Sequence, residues 1–359
     1  MNELARLISR RIALAGPISI ADFMAEALGH PRLGYYRRTL PLGAAGDFTT
    51  APEISQIFGE LVGAWLAERW QAMGTPVPVR LIELGPGRGT LMADALRATR
   101  AVAGFHAALD LHLVEINERL QALQRTNLAA FTPAWHAALE DVPAGPTLLV
   151  ANEFFDALPV RQFEKTERGW VERMVGLEAD GETLRLALAP GVTPYAALLP
   201  EAPAGAQAEI SEVARAIART IGARLRRDGG WALIVDYGYA QGHGVSLQAV
   251  RGHRGVGILE RPGETDLSAH VDFAALAAAT GQPTFGPVGQ GDFLRRLGAV
   301  SRAEALKARA GESDRRAIDA ALARLIEPDQ MGTLFRVLAV GDNRSAAPVG
   351  FSESPSDAT

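Results

Sequence analysis

A chain of 359 residues, 48% of them hydrophobic, has material for two domains or for one domain with sizeable insertions around an ample core. Its 36 basic and 41 acidic residues are interspersed and leave a formal charge of −5, which argues against a nucleic-acid partner or an anionic membrane surface. Cysteine is absent, which removes disulfides, thiol nucleophiles and cysteine-based zinc sites and fits a reducing compartment. The seven histidines are scattered without metal-ligand spacing, so no metal is expected.

The chain opens with MNELARLISRRIALAG, where Arg6, Arg10 and Arg11 alternate with apolar residues as in a targeting peptide. Glu3 and the shortage of serine oppose that reading, and Leu4, Leu7, Ile8 and Ile12 share one face of an ordinary amphipathic helix. No apolar run reaches the roughly 18 residues a membrane span needs. Ser19 to Asp22 reads as a capping box opening a short helix that ends at Gly29, and the loop HPRLGYY follows. In GDFTTAPEISQIFGELVGAWLAERW, Thr50 and Glu53 are placed to cap a helix whose apolar face runs from Ile54 to Leu66. The preceding loop, Gly46 to Thr50, carries an aspartate and two hydroxyls suited to lining a ligand.

The stretch LIELGPGRGT, Leu81 to Thr90, reads as strand, tight turn and helix, the first unit of a nucleotide-type α/β fold. Gly85, Gly87 and Gly89 suit a backbone that takes positive φ close to a ligand. The dinucleotide pattern GxGxxG would need glycine at position 90 and finds Thr90. Pro86 removes an N–H from any phosphate cradle, and Glu83 would oppose a pyrophosphate. S-adenosylmethionine carries no phosphate, and its sulfonium and α-ammonium are cations that a carboxylate at Glu83 stabilises. A methyltransferase is therefore favoured over a dehydrogenase.

Leu111 to Val114 reads as the second strand, ending in Glu115, where a carboxylate accepts hydrogen bonds from ribose hydroxyls. Phe131 to Trp135 is a short third strand. Thr147 to Ala151 is a buried fourth that delivers Asn152, Glu153 and Asp156 to the carboxyl ends of the strands, where open α/β sheets bind ligands. From Arg161 to Pro203, short strands such as Trp170 to Met174 and Leu184 to Leu188 alternate with Gly and Pro, as in a β insertion rather than a separate domain. Ala208 to Arg226 has helical composition. Trp231 to Val235 is a fifth strand, whose end carries Asp236 to the same crevice. Gln241 to Ala269 reads as a substrate-side loop with Arg251, His253, Glu264 and Asp266. Helices follow, with strands at Pro283 to Val288 and Thr333 to Val340, and the tail from Ser345 has the composition of a disordered segment.

The ordered blocks GDFTTAPEISQIFGELVGAWL, IELGPGRGTLMADALR, ANEFFDALPVRQF, LIVDYG and GETDLSAHVDF resemble the MidA-type family of S-adenosylmethionine-dependent methyltransferases. That family is similar to the mitochondrial complex I assembly factor that methylates a protein arginine. The resemblance runs from about Ile18 to Val340. It implies a class I methyltransferase (Rossmann-like) sheet, with a helical N-terminal extension over residues 1–78 and a core over 79–344. The core would hold a β-rich insertion at about 160–207 and a substrate-side loop at about 238–270, and 345–359 would be a disordered tail.

It implies S-adenosyl-L-methionine as cofactor, held by Gly85, Gly87, Gly89 and Glu115 beside the Glu83 that the charge argument already supplies, with Thr49 and Thr50 lining the site. The acceptor would be an arginine of a respiratory complex I subunit, acted on by Glu153 first and by Asp156 and Asn152 beside it. The location would be the cytoplasm for a bacterial chain and the mitochondrial matrix for a eukaryotic one. A guanidinium is a poor nucleophile that needs a carboxylate fork to orient it, which is the reason Glu153 is ranked first. A non-catalytic assembly chaperone that binds S-adenosylmethionine is the alternative.

Overall fold

Alternating apolar runs, separated by breakers, assemble into one mostly parallel sheet in the computed structural model, which describes residues 1–38, 50–240, 244–341 and 347–351. The sheet belongs to a unit formed by Thr49–Phe155, Ile217–Ala240 and Val271–Thr359. In chain order this unit holds helix α1 (Ala51–Ile54), helix α2 (Gln56–Ala72), strand β1 (Val79–Leu84), helix α3 (Thr90–Ala98) and strand β2 (Leu109–Val114). Helix α4 (Glu118–Asn127), β3 (Ala134–His136), β4 (Thr147–Asn152), β5 (Gly230–Tyr239), β6 (Thr284–Gly289) and β7 (Phe335–Gly341) follow. The strand order is β6-β7-β5-β4-β1-β2-β3, and the two-residue strand Val271–Asp272 pairs beside β5. Strands β1 to β5 run parallel, while β7 is antiparallel to both β5 and β6. Because β1 lies between β2 and β4, the carboxyl ends of these three strands sit side by side, about 5 Å apart per strand.

Burial on both faces explains why β4 and β5 read as continuous apolar runs: Leu148 to Ala151 and Ala232 to Val235 are fully excluded from solvent. Trp65 of α2 packs edge-on against Trp231 of β5, with ring centroids 6.3 Å apart. Gly59 and Gly63, four residues apart on α2, let α3 approach. A Cβ at Gly63 would lie 2.6 Å from Ala95 Cα, and one at Gly59 would lie 2.7 Å from Asp94 Cβ. Glu60, on the same helix and buried, is held by Arg97 at 2.8 Å and by Nε and Nη2 of Arg302 at 2.6 and 2.9 Å. Among the described residues, no helix is long and apolar enough to cross a membrane.

The other unit comprises Met1–Phe48, Asp156–Ala216 and Gln241–His270. Helix Glu3–Ala15 buries Leu4, Ile8 and Ile12 as its spacing predicts, but Leu7 stays 38% exposed at the edge of that face. Ser19 caps helix Ile20–Gly29 by accepting from Asp22 N at 2.9 Å. The insertion forms the antiparallel strands Arg161–Thr166, Gly169–Leu177, Leu184–Val192 and Gln207–Ile210, and strand Ile18–Ser19 joins their sheet beside Val175.

Four expectations change. Residues 50–78 group with the central sheet rather than with the N-terminal helices, because α2 supplies a large part of the sheet's core. The insertion groups with the N-terminal residues in one unit instead of standing as an insert in the sheet domain. The helix expected from Ala208 begins only at Glu212: Ala208 and Ile210 alternate into a small core with Phe163 and Trp170, so residues 207–210 pair as a strand. The stretch read as a substrate-side loop holds a three-stranded sheet, Gln248–Arg251, Arg254–Val256 and Asp266–Ser268, with Arg251 paired to Glu260 and Asp266 accepting from Tyr36 OH at 3.3 Å. Of the expected disordered tail, residues 347–351 are described, and Phe351 packs on Phe293 with centroids 5.3 Å apart.

Candidate active site

Leaving β1, the chain places Gly85, Gly87 and Gly89 at φ of +62°, +53° and +80°, a left-handed backbone that costs an L-residue about 1–2 kcal/mol per position. Space enforces glycine as well as conformation: a Cβ at Gly85 would lie 2.9 Å from the Phe154 ring. The turn is sewn to the sheet by Gly85 N donating to Val114 O at 3.1 Å and closed by Gly89 N donating to Pro86 O at 2.7 Å. Helix α3 then starts at Thr90, with Gly89 as its cap.

Two carboxyl groups flank this turn at adjacent strand ends. Glu83 on β1 is 3% exposed, and its Oε2 has no hydrogen-bond partner among the described residues. Burial without a compensating charge pushes its carboxyl up to about 8, so at neutral pH it carries a proton. A cation delivered beside it reverses that balance, which is the chemistry an ammonium or sulfonium ligand supplies. Glu115, at the end of β2, is 8% exposed and accepts from Asn117 N at 2.7 Å through Oε1 and from Gln124 Nε2 at 3.4 Å through Oε2. Gln124 was not foreseen. Fully buried on α4, it donates through Nε2 to Gly87 O at 2.7 Å and accepts from Trp135 Nε1 at 2.7 Å, so one amide joins the glycine turn, the second-strand carboxylate and β3.

At the end of β4, Glu153 N donates to Val235 O at 2.9 Å, and Glu153 itself takes φ +48°. A left-handed glutamate costs about 1–3 kcal/mol and persists only where its surroundings over-determine it. Its Oε1 accepts from Ala51 N, the first residue of α1, at 2.9 Å and from Asn152 Nδ2 at 3.2 Å. Asn152 is 9% exposed, and its Oδ1 has no hydrogen-bond partner among the described residues. Asp236, expected to present its side chain to a ligand, is instead fully buried and accepts from the backbone N–H of Phe154, Phe155 and Tyr237 at 3.2, 2.9 and 3.0 Å. Asp156 belongs to the other unit, where its carbonyl accepts from Ala269 N at 2.9 Å.

The expected Thr50–Glu53 cap also resolves differently. Thr50 makes no side-chain cap, Ser55 interrupts the helix and caps α2, and Glu53 reaches the glycine turn. There it accepts from Thr90 Oγ1 at 2.5 Å and lies 3.6 Å from Arg88 Nη1. Helix α1 therefore touches the turn after β1 through Glu53 and the end of β4 through Ala51. Thr49 lies outside the described residues. His112 and His136, far apart in sequence, meet across β2 and β3 at 2.9 Å, both held below the usual histidine range by burial. Among the described residues, no three His, Cys, Asp or Glu are placed to hold a metal ion.

Residues 61–288 match the family model of S-adenosyl-L-methionine-dependent methyltransferases. The chain is 36% identical to the Danio rerio protein named protein arginine methyltransferase NDUFAF7, mitochondrial, with 94% of this chain and 87% of the relative covered. It is 37% identical to the Mus musculus protein of the same name, covering 95% and 84%. Among solved structures, a Burkholderia thailandensis protein bound to S-adenosyl-homocysteine superposes with a TM-score of 0.84 at 30% identity, covering 98% of this chain and 95% of the other. The group implied by this likeness fits the residues present: a buried carboxyl at Glu83 whose Oε2 has no hydrogen-bond partner among the described residues, a turn of three left-handed glycines and a buried acceptor at Glu115 meet at neighbouring strand ends.

Proposed function

The chain belongs to the S-adenosyl-L-methionine-dependent methyltransferase family, and from that premise we propose that it methylates an arginine side chain of a protein. Bound S-adenosylmethionine supplies an electrophilic methyl group on a sulfonium. Glu83 would neutralise the cofactor's ammonium end, Glu115 would accept from the ribose hydroxyls, and the carbonyls and N–H groups exposed by Gly85, Gly87 and Gly89 would line the bound molecule. Thr49 and Thr50 would complete this side of the site. Glu153 would hold the acceptor guanidinium, with Asn152 beside it and Asp156 as the second candidate. A guanidinium spreads its charge over three nitrogens and attacks poorly unless one nitrogen is aimed. A carboxylate of fixed orientation aims it and offsets a second cation near the sulfonium.

The observation that carries the reading is the buried carboxyl of Glu83, its Oε2 without a hydrogen-bond partner among the described residues, beside the left-handed glycine turn, which suits a cationic, phosphate-free cofactor. The names of the relatives support a protein arginine as the acceptor, and the resemblance to the MidA-type family directs attention to a respiratory complex I subunit as the acceptor protein, in the mitochondrial matrix of a eukaryote or the cytoplasm of a bacterium.

The test is transfer of labelled methyl groups to the protein fraction of a lysate from cells lacking this chain, with identification of the labelled residue. Methylarginine on a complex I subunit is the expected product, and Glu153→Gln should lower the rate at least 100-fold, about 2.7 kcal/mol of barrier, with cofactor affinity nearly unchanged. Methyl-lysine as the product, or wild-type transfer by that variant, defeats the mechanism. Cofactor binding without any transfer identifies an assembly chaperone instead.

A further inference from the structure

We propose that Asp236 is a positioning residue that holds Glu153 in its working orientation, an inference that rests on reading Glu153 as the acceptor-side carboxylate. In a continuing strand, consecutive side chains point to opposite faces, so Asn152 and Glu153 would be unable to touch. Here Asn152 Nδ2 donates to Glu153 Oε1 at 3.2 Å, and the left-handed turn at Glu153, φ +48°, is what brings the two side chains together.

That turn directs the N–H groups of Phe154 and Phe155 at one point, and the Oδ2 of Asp236 accepts both, at 3.2 and 2.9 Å. Its Oδ1 accepts from Tyr237 N at 3.0 Å, which fixes the carboxylate against its own strand. Val235 O receives Glu153 N at 2.9 Å, so residues 235 and 236 of β5 grip Glu153 to Phe155 of the neighbouring chain segment. A neutral side chain at 236 would leave two converging N–H groups without the charge that stabilises them, and Glu153 would relax toward ordinary strand geometry. Phe155, packed edge-on against Phe154 with centroids 5.3 Å apart, carries the same turn into the core, and the Phe154 ring closes over Gly85.

The experiment uses the full chain, labelled S-adenosylmethionine and the protein fraction of a lysate from cells lacking it as acceptor, with calorimetric titration of S-adenosylhomocysteine. Asp236→Asn and Asp236→Glu should each lower the maximal rate at least 20-fold while S-adenosylhomocysteine affinity stays within twofold. In a Glu153→Gln background, Asp236→Asn should change the residual rate less than twofold, because the group it positions is already disabled. Where Glu153→Gln alone leaves no measurable transfer, the split between lost rate and retained cofactor affinity in Asp236→Asn decides. Wild-type rates in the Asp236 variants, an equal loss in the Glu153→Gln background, or loss of cofactor binding in both Asp236 variants overturns the inference. Wild-type transfer by Glu153→Gln alone overturns instead the reading of Glu153 on which it rests.

Discussion

Gln124 donates its side-chain amide to the carbonyl of Gly87 at 2.7 Å, tying helix α4 to the middle of the glycine turn across 37 residues of chain. The same nitrogen reaches Glu115 Oε2 at 3.4 Å, and the amide oxygen is taken by Trp135. Replacing Gln124 by leucine strands a half-buried carbonyl and a half-buried indole N–H, at up to about 1 kcal/mol for each group left unpaired. Gln124→Glu adds an anion next to Glu115. Both variants should bind S-adenosylhomocysteine at least about fivefold more weakly, with the glutamate the worse of the two. Calorimetry giving wild-type affinity for either one would remove Gln124 from the support of the site.

Glu115 accepts from Asn117 N and Gln124 Nε2, which orient its carboxylate at the end of β2. Glu115→Ala should weaken cofactor binding by about 1–3 kcal/mol through loss of charge-assisted bonds to ribose, with the thermal unfolding midpoint little changed. An affinity within twofold of wild type would move the ribose contact elsewhere.

Glu83 makes cofactor affinity depend on pH. Its folded-state value near 8 exceeds the ordinary 4.5, so between these limits the folded protein holds a proton that the unfolded chain has released. The stability contribution of this group is therefore greatest at the acid end and falls by up to about 1.4 kcal/mol per pH unit as pH rises toward 8. Binding a cation drives the carboxyl to its ionised form, so below pH 8 binding expels that proton. Affinity for S-adenosylmethionine should rise with pH between 6 and 8, by at most about tenfold per unit, and then level off. Glu83→Gln should flatten the rise. Titrations in buffers of different ionisation enthalpy count the released proton directly, and a count near zero at pH 6.5 would exclude the mechanism.

Gly87 sits at φ +53° within the turn, and its carbonyl is the one Gln124 holds. Gly87→Val puts a β-branched side chain on a left-handed backbone and into the space a ligand needs, so binding of S-adenosylmethionine should fall below detection at micromolar concentrations. Retained micromolar affinity would show that the cofactor lies off this turn.

The glycines, the strand-end positions of Glu83 and Glu115, and the existence of the central strands were legible from the chain alone. Each depends on a local rule: glycine for positive φ, a polar residue where an apolar run stops, and the position of strand ends in a parallel sheet. The S-adenosylmethionine reading followed from the same short stretch, because Pro86 and Glu83 disfavour a phosphate.

What only the tertiary structure decided involves partners distant in sequence. Asp236 reads as a ligand-facing strand end until Phe154 and Phe155, 82 and 81 residues earlier, bring their N–H groups to it. Glu53 reads as a helix cap until Thr90 claims it, and Gln124 carries no local signal until Gly87, Glu115 and Trp135 surround it. Residues 207–210 have helical composition, yet a neighbouring strand and a small apolar core make them a strand. In every case a buried polar or apolar group takes whichever partner the packed fold brings within reach. Leaving such a group unsatisfied costs more than a local preference supplies, and the identity of that partner is a property of three-dimensional proximity that periodicity and composition do not encode.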